Sequence, residues 1–220
     1  PGRAYKEVHE LAESITEMDV ETAVEVIKST LPTSWLFLNQ LTQKGSLEYF
    51  VNWLACVAQY KVMPVLPIIT SVQGTGKGVF VNEWLNYYLN QEYVNVVTSE
   101  KIQSNFNAFM ETSSMIVLDE GDFSKSKEVD HLKFLSGNDR ISVEKKGIDS
   151  VQMQKYFNMI MLTNGECPII HSYDDRRMSY YRLEVKLKDT VRSAGFDGIN
   201  TFIDALRSEV TEFWAIILKT

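Results

Sequence analysis

The sequence is poor in cysteine and lacks a long apolar run, and both absences narrow the class of protein. Its two cysteines, Cys56 and Cys167, stand 111 positions apart without CxxC spacing or a nearby pair of histidines. This pattern favours buried thiols over a metal site or a disulfide, and it fits a reducing, cytoplasmic setting. No stretch reaches the roughly 18 apolar residues that a membrane-spanning helix needs, so we expect no membrane partner.

Net basic charge is also missing, although the charge is unevenly spread. The chain has 22 Lys and Arg against 29 Asp and Glu, a net charge of −7, which at first argues against a nucleic-acid partner. Residues 1–30 hold seven acidic and three basic side chains, whereas residues 125–155 hold five acidic and seven basic ones. Phosphate contact depends on local cations, so a DNA-binding loop in the second stretch is compatible with the sequence. The basic residues there are Lys125, Lys127, Lys133, Arg140, Lys145, Lys146 and Lys155.

Apolar periodicity divides the chain into two regions. Residues 1–61 carry apolar side chains at steps of three and four, which predicts helices, and Ser46 is a plausible N-cap for one of them. From residue 62 onward, short apolar strands at 65–70, 94–97, 115–118 and 157–162 alternate with helical segments, and the chain ends in an apolar helical stripe. Such strands indicate a mainly parallel sheet covered on both faces. We therefore predict an α/β fold with a helical N-terminal region at 1–61 and a sheet domain at 62–220.

A glycine-rich turn follows the first predicted strand and leads into a helix predicted from Val79 to Leu89. Consecutive backbone N–H groups in such a turn can point at one anion, and the helix N-terminus adds a favourable dipole. Lys77 would reach the β- and γ-phosphates of a nucleotide as a mobile cation. The predicted phosphate-binding residues are Gln73, Gly74, Thr75, Gly76, Lys77, Gly78 and Val79.

This turn departs twice from the common phosphate-loop pattern. Ser71 stands where the first glycine is usual, and Gly78 replaces the Ser or Thr whose hydroxyl normally holds Mg²⁺. A glycine-rich turn with a surface lysine is the alternative interpretation.

An acidic pair follows the predicted strand at 115–118, with Asp119 placed 42 residues after Lys77. A carboxylate at the end of a strand beside the phosphate loop can hold Mg²⁺ through water, which predicts Asp119 as the metal-binding residue. Glu120 could then orient and deprotonate an attacking water. Acidic residues also simply end strands, but their distance from the glycine-rich turn favours ATP binding.

Asn164 ends the strand at 157–162 and lies 45 positions after Asp119. Its amide could hydrogen-bond the γ-phosphate or the attacking water, whereas an Asn that closes a turn before Gly165 is the interpretation favoured by this residue alone. Arg176 and Arg177 follow two aspartates, with which they could form salt bridges. Alternatively, one of these arginines could enter a neighbouring subunit's nucleotide site and stabilise charge on the transferred phosphoryl group.

Two short alternating segments flank Lys145 and Lys146, which predicts a β-hairpin with lysines at its tip. In a ring, such tips would converge on the axis and follow a phosphate backbone. A solvated surface turn is the alternative.

In this order, the motifs resemble those of superfamily 3 helicases, particularly the helicase part of phage, plasmid and poxvirus-type primase–helicases. The most specific element is the SGNDRI…EKKG stretch placed between the DE and TN pairs. The resemblance covers about residues 62–185, on segments 74–78, 118–120, 135–141, 144–147, 162–164 and 175–177.

The resemblance implies an AAA+-like fold, a hexameric ring, and hydrolysis of ATP with Mg²⁺ coupled to translocation on single-stranded DNA. It implies that Lys145 or Lys146 contacts the DNA, and that a primase or primase–polymerase domain is fused to the motor or associated with it. For a viral protein, the setting would be the host cytoplasm. A nucleotide- and DNA-binding structural ring with little turnover, or an ATPase such as a loader that acts on something other than DNA, remain as alternatives.

Overall fold

The computed structural model describes residues 3–104, 107–119, 126–145, 147–164 and 176–220. The N-terminal region forms four helices, and Ser46 caps the fourth as predicted, because its Oγ accepts a hydrogen bond from the Tyr49 N–H at 3.2 Å. Asp19 caps the second helix in the same way through the Thr22 N–H. The helices are α1 (Arg3–Ala12), α2 (Val20–Thr30), α3 (Pro32–Leu41) and α4 (Leu47–Ala58).

A five-stranded sheet forms the centre of the molecule, in the order β2-β3-β6-β1-β7, and each neighbouring pair is parallel. Four of its strands coincide with the predicted apolar segments to within a residue at either end, whereas β7 was not predicted. The predicted α/β, AAA+-like fold class with its helical N-terminal region is therefore confirmed. The strands are β1 (Leu66–Ser71), β2 (Val94–Val97), β3 (Met115–Asp119), β6 (Asn158–Thr163) and β7 (Met178–Leu183).

A separate two-stranded antiparallel hairpin, β4 (Arg140–Lys145) and β5 (Ile148–Gln154), lies between β3 and β6 in the chain. This confirms the predicted hairpin. The helix predicted from Val79 to Leu89 begins two residues earlier. It runs through α5 (Lys77–Val79), a π-helical stretch (Phe80–Leu85) and α6 (Asn86–Leu89). The remaining helices are α7 (Ser99–Gln103), α8 (Ser126–Gly137), α9 (Leu187–Ser193) and α10 (Ile199–Leu218).

Two hydrophobic cores cover the two faces of the sheet. The larger joins α1–α4, α5–α6 and α10 to one face, where Phe37 of α3 meets the edge of Trp84 at a ring distance of 5.0 Å. The smaller packs α8 and the hairpin against the other face. The N-terminal helices share the larger core with the sheet and therefore pack directly against it. The domain boundary at residue 62 stays a prediction.

Within the described ranges, no helix has both the length and the hydropathy to cross a bilayer. Cys56 is a free, half-buried thiol, and Cys167 lies outside the described residues.

The parallel direction of the strands gathers their carboxyl ends at one edge, called here the carboxyl edge. Its register places Thr70 of β1 beside Thr163 of β6 on one side and Arg182 of β7 on the other. Asp119 ends β3 beside Leu162 of β6. The opposite end of the sheet, where the strands begin, is called the amino edge.

Candidate nucleotide site

The turn between β1 and α5 has the backbone that its glycines predict. Gly74 and Gly76 have φ angles of 86° and 104°, in the left-handed region that side chains rarely adopt. A Cβ atom at Gly76 would also lie 3.1 Å from Phe37 and 3.2 Å from Leu187. Only glycine therefore fits at residue 76 without displacing its neighbours.

Gly78 differs from these two glycines. A Cβ atom at this residue would meet no heavy atom within 4 Å, and its φ lies outside the left-handed region. A Ser or Thr side chain would therefore fit at residue 78, so the fold has no steric requirement for glycine there.

Lys77 begins α5 and extends over the carboxyl edge of the sheet. Its Nζ donates to Ser71 Oγ at 2.8 Å, to the Thr163 carbonyl at 2.9 Å and to Asn164 Oδ1 at 2.5 Å. The structure thus brings Lys77 and Asn164 into direct contact, although 87 residues separate them in the chain.

Asp119 is exposed at the end of β3, one strand away from Asn164. Neighbouring strands lie about 4.8 Å apart, so the Asp119 carboxylate belongs to the same edge as the Lys77 ammonium. Glu120 lies outside the described residues. Among the described residues, no cluster of three or more His, Cys, Asp or Glu side chains could hold a metal ion by itself. A single carboxylate completed by phosphate and water oxygens nevertheless suits Mg²⁺, which favours such mixed shells.

A cavity of about 220 Å³ opens at the carboxyl edge, beside the glycine-rich turn that is predicted to be a phosphate loop. It contains a residue that sequence analysis missed, Arg182, whose Nε lies 3.4 Å from Glu184 Oε1. Lys44 approaches the same carboxylate at 3.9 Å. The cavity is lined by Thr70, Ser71, Val72, Asn164, Arg182, Leu183 and Glu184.

Gln40 of α3 and Gln43, which lies in the turn after α3, were also missed, and both bind backbone near the loop. Gln40 is almost fully buried, and its Nε2 donates to the carbonyls of Thr75 and Val185 at 3.0 and 2.7 Å. Gln43 Oε1 accepts from the N–H groups of Glu184 and Val185 at 2.9 and 3.1 Å. A buried glutamine in an apolar helix was the available signal, but its partners cannot be read from the local sequence.

Arg176 and Arg177 lie on the other side of the molecule from Lys77. They are exposed and directly precede β7, and the Arg177 carbonyl accepts from the Leu66 N–H at the amino edge. A strand of six residues spans roughly 20 Å, so neither arginine belongs to this chain's own phosphate loop. The Arg177 side chain contacts the end of α8, since a Cβ atom at Gly137 would lie 3.1 Å from its Nε.

Lys145 ends β4 at the hairpin tip, and Gly147 turns the chain with a φ of 77°. The side chain of Lys145 and the whole of Lys146 lie outside the described residues.

Lys155, counted above among the local cations, is not available to DNA because only 2% of it is exposed. Its Nζ donates to the carbonyls of Leu135 and Ser136 at 2.8 and 2.7 Å and so caps the C-terminus of α8. Burial lowers the pKa of the Lys155 ammonium to about 8, although nearby Asp139 acts in the opposite direction.

Comparisons with known proteins show a family model and a curated relative that this chain matches. Residues 69–177 match the model of a family of unknown function (DUF5906), a stretch that contains the phosphate loop, Asp119, the hairpin and Asn164. Over 149 residues, 66% of the chain, it is 28% identical to a DNA primase-polymerase of Nitratiruptor phage NrS-1. The chain spans 21% of the length of that relative.

Solved structures of the NrS-1 C-terminal region share the fold. One has a TM-score of 0.69 at 19% identity and covers 94% of this chain and 47% of its own. Another has a TM-score of 0.69 at 20% identity, with coverages of 93% and 46%. At these identities the likeness shows a common fold, an α/β sheet domain joined to helices, and nothing about activity.

Proposed function

We propose that this chain is the ATP-driven motor of a phage or plasmid DNA-replication protein, which hydrolyses ATP to translocate on single-stranded DNA as a hexameric ring. The similarity to a phage primase-polymerase supports the replication role and an associated primase or polymerase domain. The finer proposal, an ATP-dependent helicase, depends on the carboxyl edge of the sheet.

The position of Lys77 carries this proposal. Its ammonium lies at the start of a helical segment, where the helix dipole disfavours a cation and favours an anion. It is held at the carboxyl edge by Ser71 and Asn164, beside a loop with two left-handed glycines. A triphosphate bound by the loop would receive the Lys77 ammonium in a charge-assisted hydrogen bond.

The other predicted residues have compatible roles at the same edge. Asp119 would hold Mg²⁺ through water, and the ion would neutralise charge on the β- and γ-phosphates. Asn164 would hydrogen-bond the γ-phosphate or the attacking water, and Glu120 would accept the proton of that water.

The amino edge suits a ring. Because Arg176 and Arg177 lie about one strand length from the Lys77 of their own chain, they could reach a nucleotide only in another subunit. An arginine supplied from a neighbour stabilises the transferred phosphoryl group and couples hydrolysis to assembly.

The test is ATP turnover by Lys77→Ala, with and without single-stranded DNA. We expect turnover to fall at least a hundredfold, because the lysine stabilises charge that develops on the phosphates. Lys28→Ala is a matched control, since Lys28 is exposed on α2. Turnover by Lys77→Ala at the wild-type rate would refute the motor.

The hairpin requires its own test. Charge reversal of Lys145 and Lys146 to Glu should weaken binding of single-stranded DNA and flatten its salt dependence. DNA binding that survives this change would favour an ATPase acting on another partner, such as a loader.

Gly78 favours a second candidate, a nucleotide- and DNA-binding ring with little or no turnover. Without a hydroxyl at this residue, the Mg²⁺ shell depends on Asp119 and water. Steady-state ATPase measurements separate the candidates: stimulation by single-stranded DNA supports the motor, and nucleotide binding without turnover supports the structural ring.

A further inference from the structure

Two successive carbonyls of the phosphate loop are held from the protein side. The Gly74 carbonyl accepts from the Leu187 N–H at 2.9 Å, and the Thr75 carbonyl accepts from Gln40 Nε2 at 3.0 Å. Gln40 belongs to α3 and Leu187 begins α9, so two helices that are distant in sequence hydrogen-bond to adjacent peptide groups of the loop.

These contacts orient the N–H groups that an anion needs. In a planar trans peptide, the carbonyl of one residue and the N–H of the next point in opposite directions. With the Gly74 and Thr75 carbonyls directed toward α9 and α3, the N–H groups of Thr75 and Gly76 are directed away from them. Successive N–H groups that face one side form an anion-binding nest.

The two supports are joined to each other. The Thr190 hydroxyl of α9 donates to Gln40 Oε1 at 2.7 Å, and the second N–H of Gln40 Nε2 reaches the Val185 carbonyl at 2.7 Å. The Gln40 side chain that makes these bonds is only 3% exposed, so the loss of one partner would leave a buried polar group without a replacement from water.

We infer that Gln40, together with the backbone N–H of Leu187, holds the phosphate loop in its anion-binding conformation, so that the N-terminal helices control nucleotide affinity. Gln40 is thus a positioning residue that acts through the loop backbone. This inference rests on the proposed nucleotide binding and specifies what prepares the site for it.

Gln43, three residues after Gln40 and just beyond the end of α3, provides a matched control. Its Oε1 accepts two backbone hydrogen bonds from residues 184–185 and its Nε2 donates to the Gln40 carbonyl at 3.2 Å, but these bonds do not involve the loop carbonyls. Gln40→Met and Gln43→Met each remove one side-chain amide and keep a side chain of similar length, and only the first removes a support of the loop.

Leu187 allows an independent variant. It is the first residue of α9, where proline is favoured, and Lys186 before it has an extended backbone that tolerates a following proline. Leu187→Pro removes the N–H that binds the Gly74 carbonyl, whereas Leu187→Ala removes most of the side chain and keeps this N–H.

The experiment measures ATP affinity by calorimetry and melting temperature for the wild type and the four variants. We expect Gln40→Met to weaken ATP binding at least tenfold, with Gln43→Met within about twofold of the wild type. Leu187→Pro should weaken binding severalfold more than Leu187→Ala. The Leu187 pair decides the matter if Gln40→Met does not fold.

Three outcomes would overturn the inference. Wild-type ATP affinity in Gln40→Met or in Leu187→Pro would show that the loop does not need these supports. Equal losses in Gln40→Met and Gln43→Met that follow their melting temperatures would show a general structural effect. A wild-type protein that binds neither ATP nor pyrophosphate would refute the proposed function, and the anion-binding role of the loop would fall with it.

Discussion

The two edges of the sheet place cations at opposite ends of helices. At the carboxyl edge, Lys77 lies at the start of the helical segment, where the dipole repels a positive charge. At the amino edge, Lys155 and Arg177 lie at the end of α8, where carbonyl groups attract one. Both ammonium groups are hydrogen-bonded within the fold, but Lys155 is buried whereas Lys77 is only half-buried at the carboxyl edge, so under the proposed function Lys77 is the one that an external anion could reach.

The largest expected effect tests the arginines of the amino edge. Arg176→Ala should lower ATP turnover about a thousandfold without changing ATP affinity or melting temperature, because a neighbour's arginine acts on the transferred phosphoryl group. Arg177→Ala should also lower the melting temperature, since its side chain contacts α8. Unchanged turnover in both variants would break the comparison, because the amino edge would then have no role in catalysis.

A smaller but still large effect tests the carboxyl edge. Gly76→Ala should raise the Kd for ATP tenfold or more and destabilise the fold by about 1–3 kcal/mol, because a left-handed alanine is strained and would meet Phe37 and Leu187. Calorimetry and thermal unfolding measure the two effects. Gly78→Ala is the control: its Cβ meets open space within the helical segment, so this variant should not lower the melting temperature.

Lys155 gives a pH dependence with a definite sign. Its pKa is about 8 in the folded protein against 10.5 in the unfolded chain, so the unfolded chain binds more protons between these values. The free energy of unfolding should therefore rise with pH from 8 to 10, by at most about 1.4 kcal/mol per unit.

The comparison with Lys155→Met isolates this contribution. The tyrosines act in the opposite direction above pH 10, because burial raises the pKa of Tyr60 and of Tyr181 to about 12, and they do so in both proteins. Denaturant unfolding from pH 7.5 to 9.5 should show the rise in the wild type relative to Lys155→Met. Parallel pH profiles would show that Lys155 is not buried as a charged group.

The smallest effect concerns the missing hydroxyl. Gly78→Ser should strengthen ATP binding a few-fold in Mg²⁺ and not in EDTA, because an added hydroxyl could join the metal shell. The melting temperature should not fall, as the side chain meets no neighbour within 4 Å. If Gly78→Ser changes ATP affinity relative to the wild type by the same factor in Mg²⁺ and in EDTA, residue 78 does not face the metal.

The strands, the loop and the hairpin could be predicted because their signals are local. Apolar runs of four to six residues and glycines before a helix specify their own conformation. Strand β7 was missed because its sequence, MSYYRL, mixes polar and aromatic residues and lacks an apolar run. An edge strand tolerates such a sequence, and Arg182 is exposed on it.

The polar supports of the site could not be predicted, because their partners are distant in the chain. The role of Gln40 depends on carbonyls 35 and 145 residues away. Lys155 belongs to a basic stretch, yet it is buried because the end of α8 provides carbonyls for it. Residue type and spacing suggested the chemistry of Lys77, but only the fold shows that Lys77 meets Asn164 at the carboxyl edge while Lys155 is buried.

The parallel pairing of β1 also determines when the glycine-rich loop can adopt its native conformation during folding. Its two neighbours, β6 and β7, are encoded almost a hundred residues or more after it, and the segment that supports the loop extends to Thr190. Contacts of such high sequence separation form late and slow the folding of a chain. A nascent chain that ends before this segment would contain the whole glycine-rich motif but not a formed binding loop.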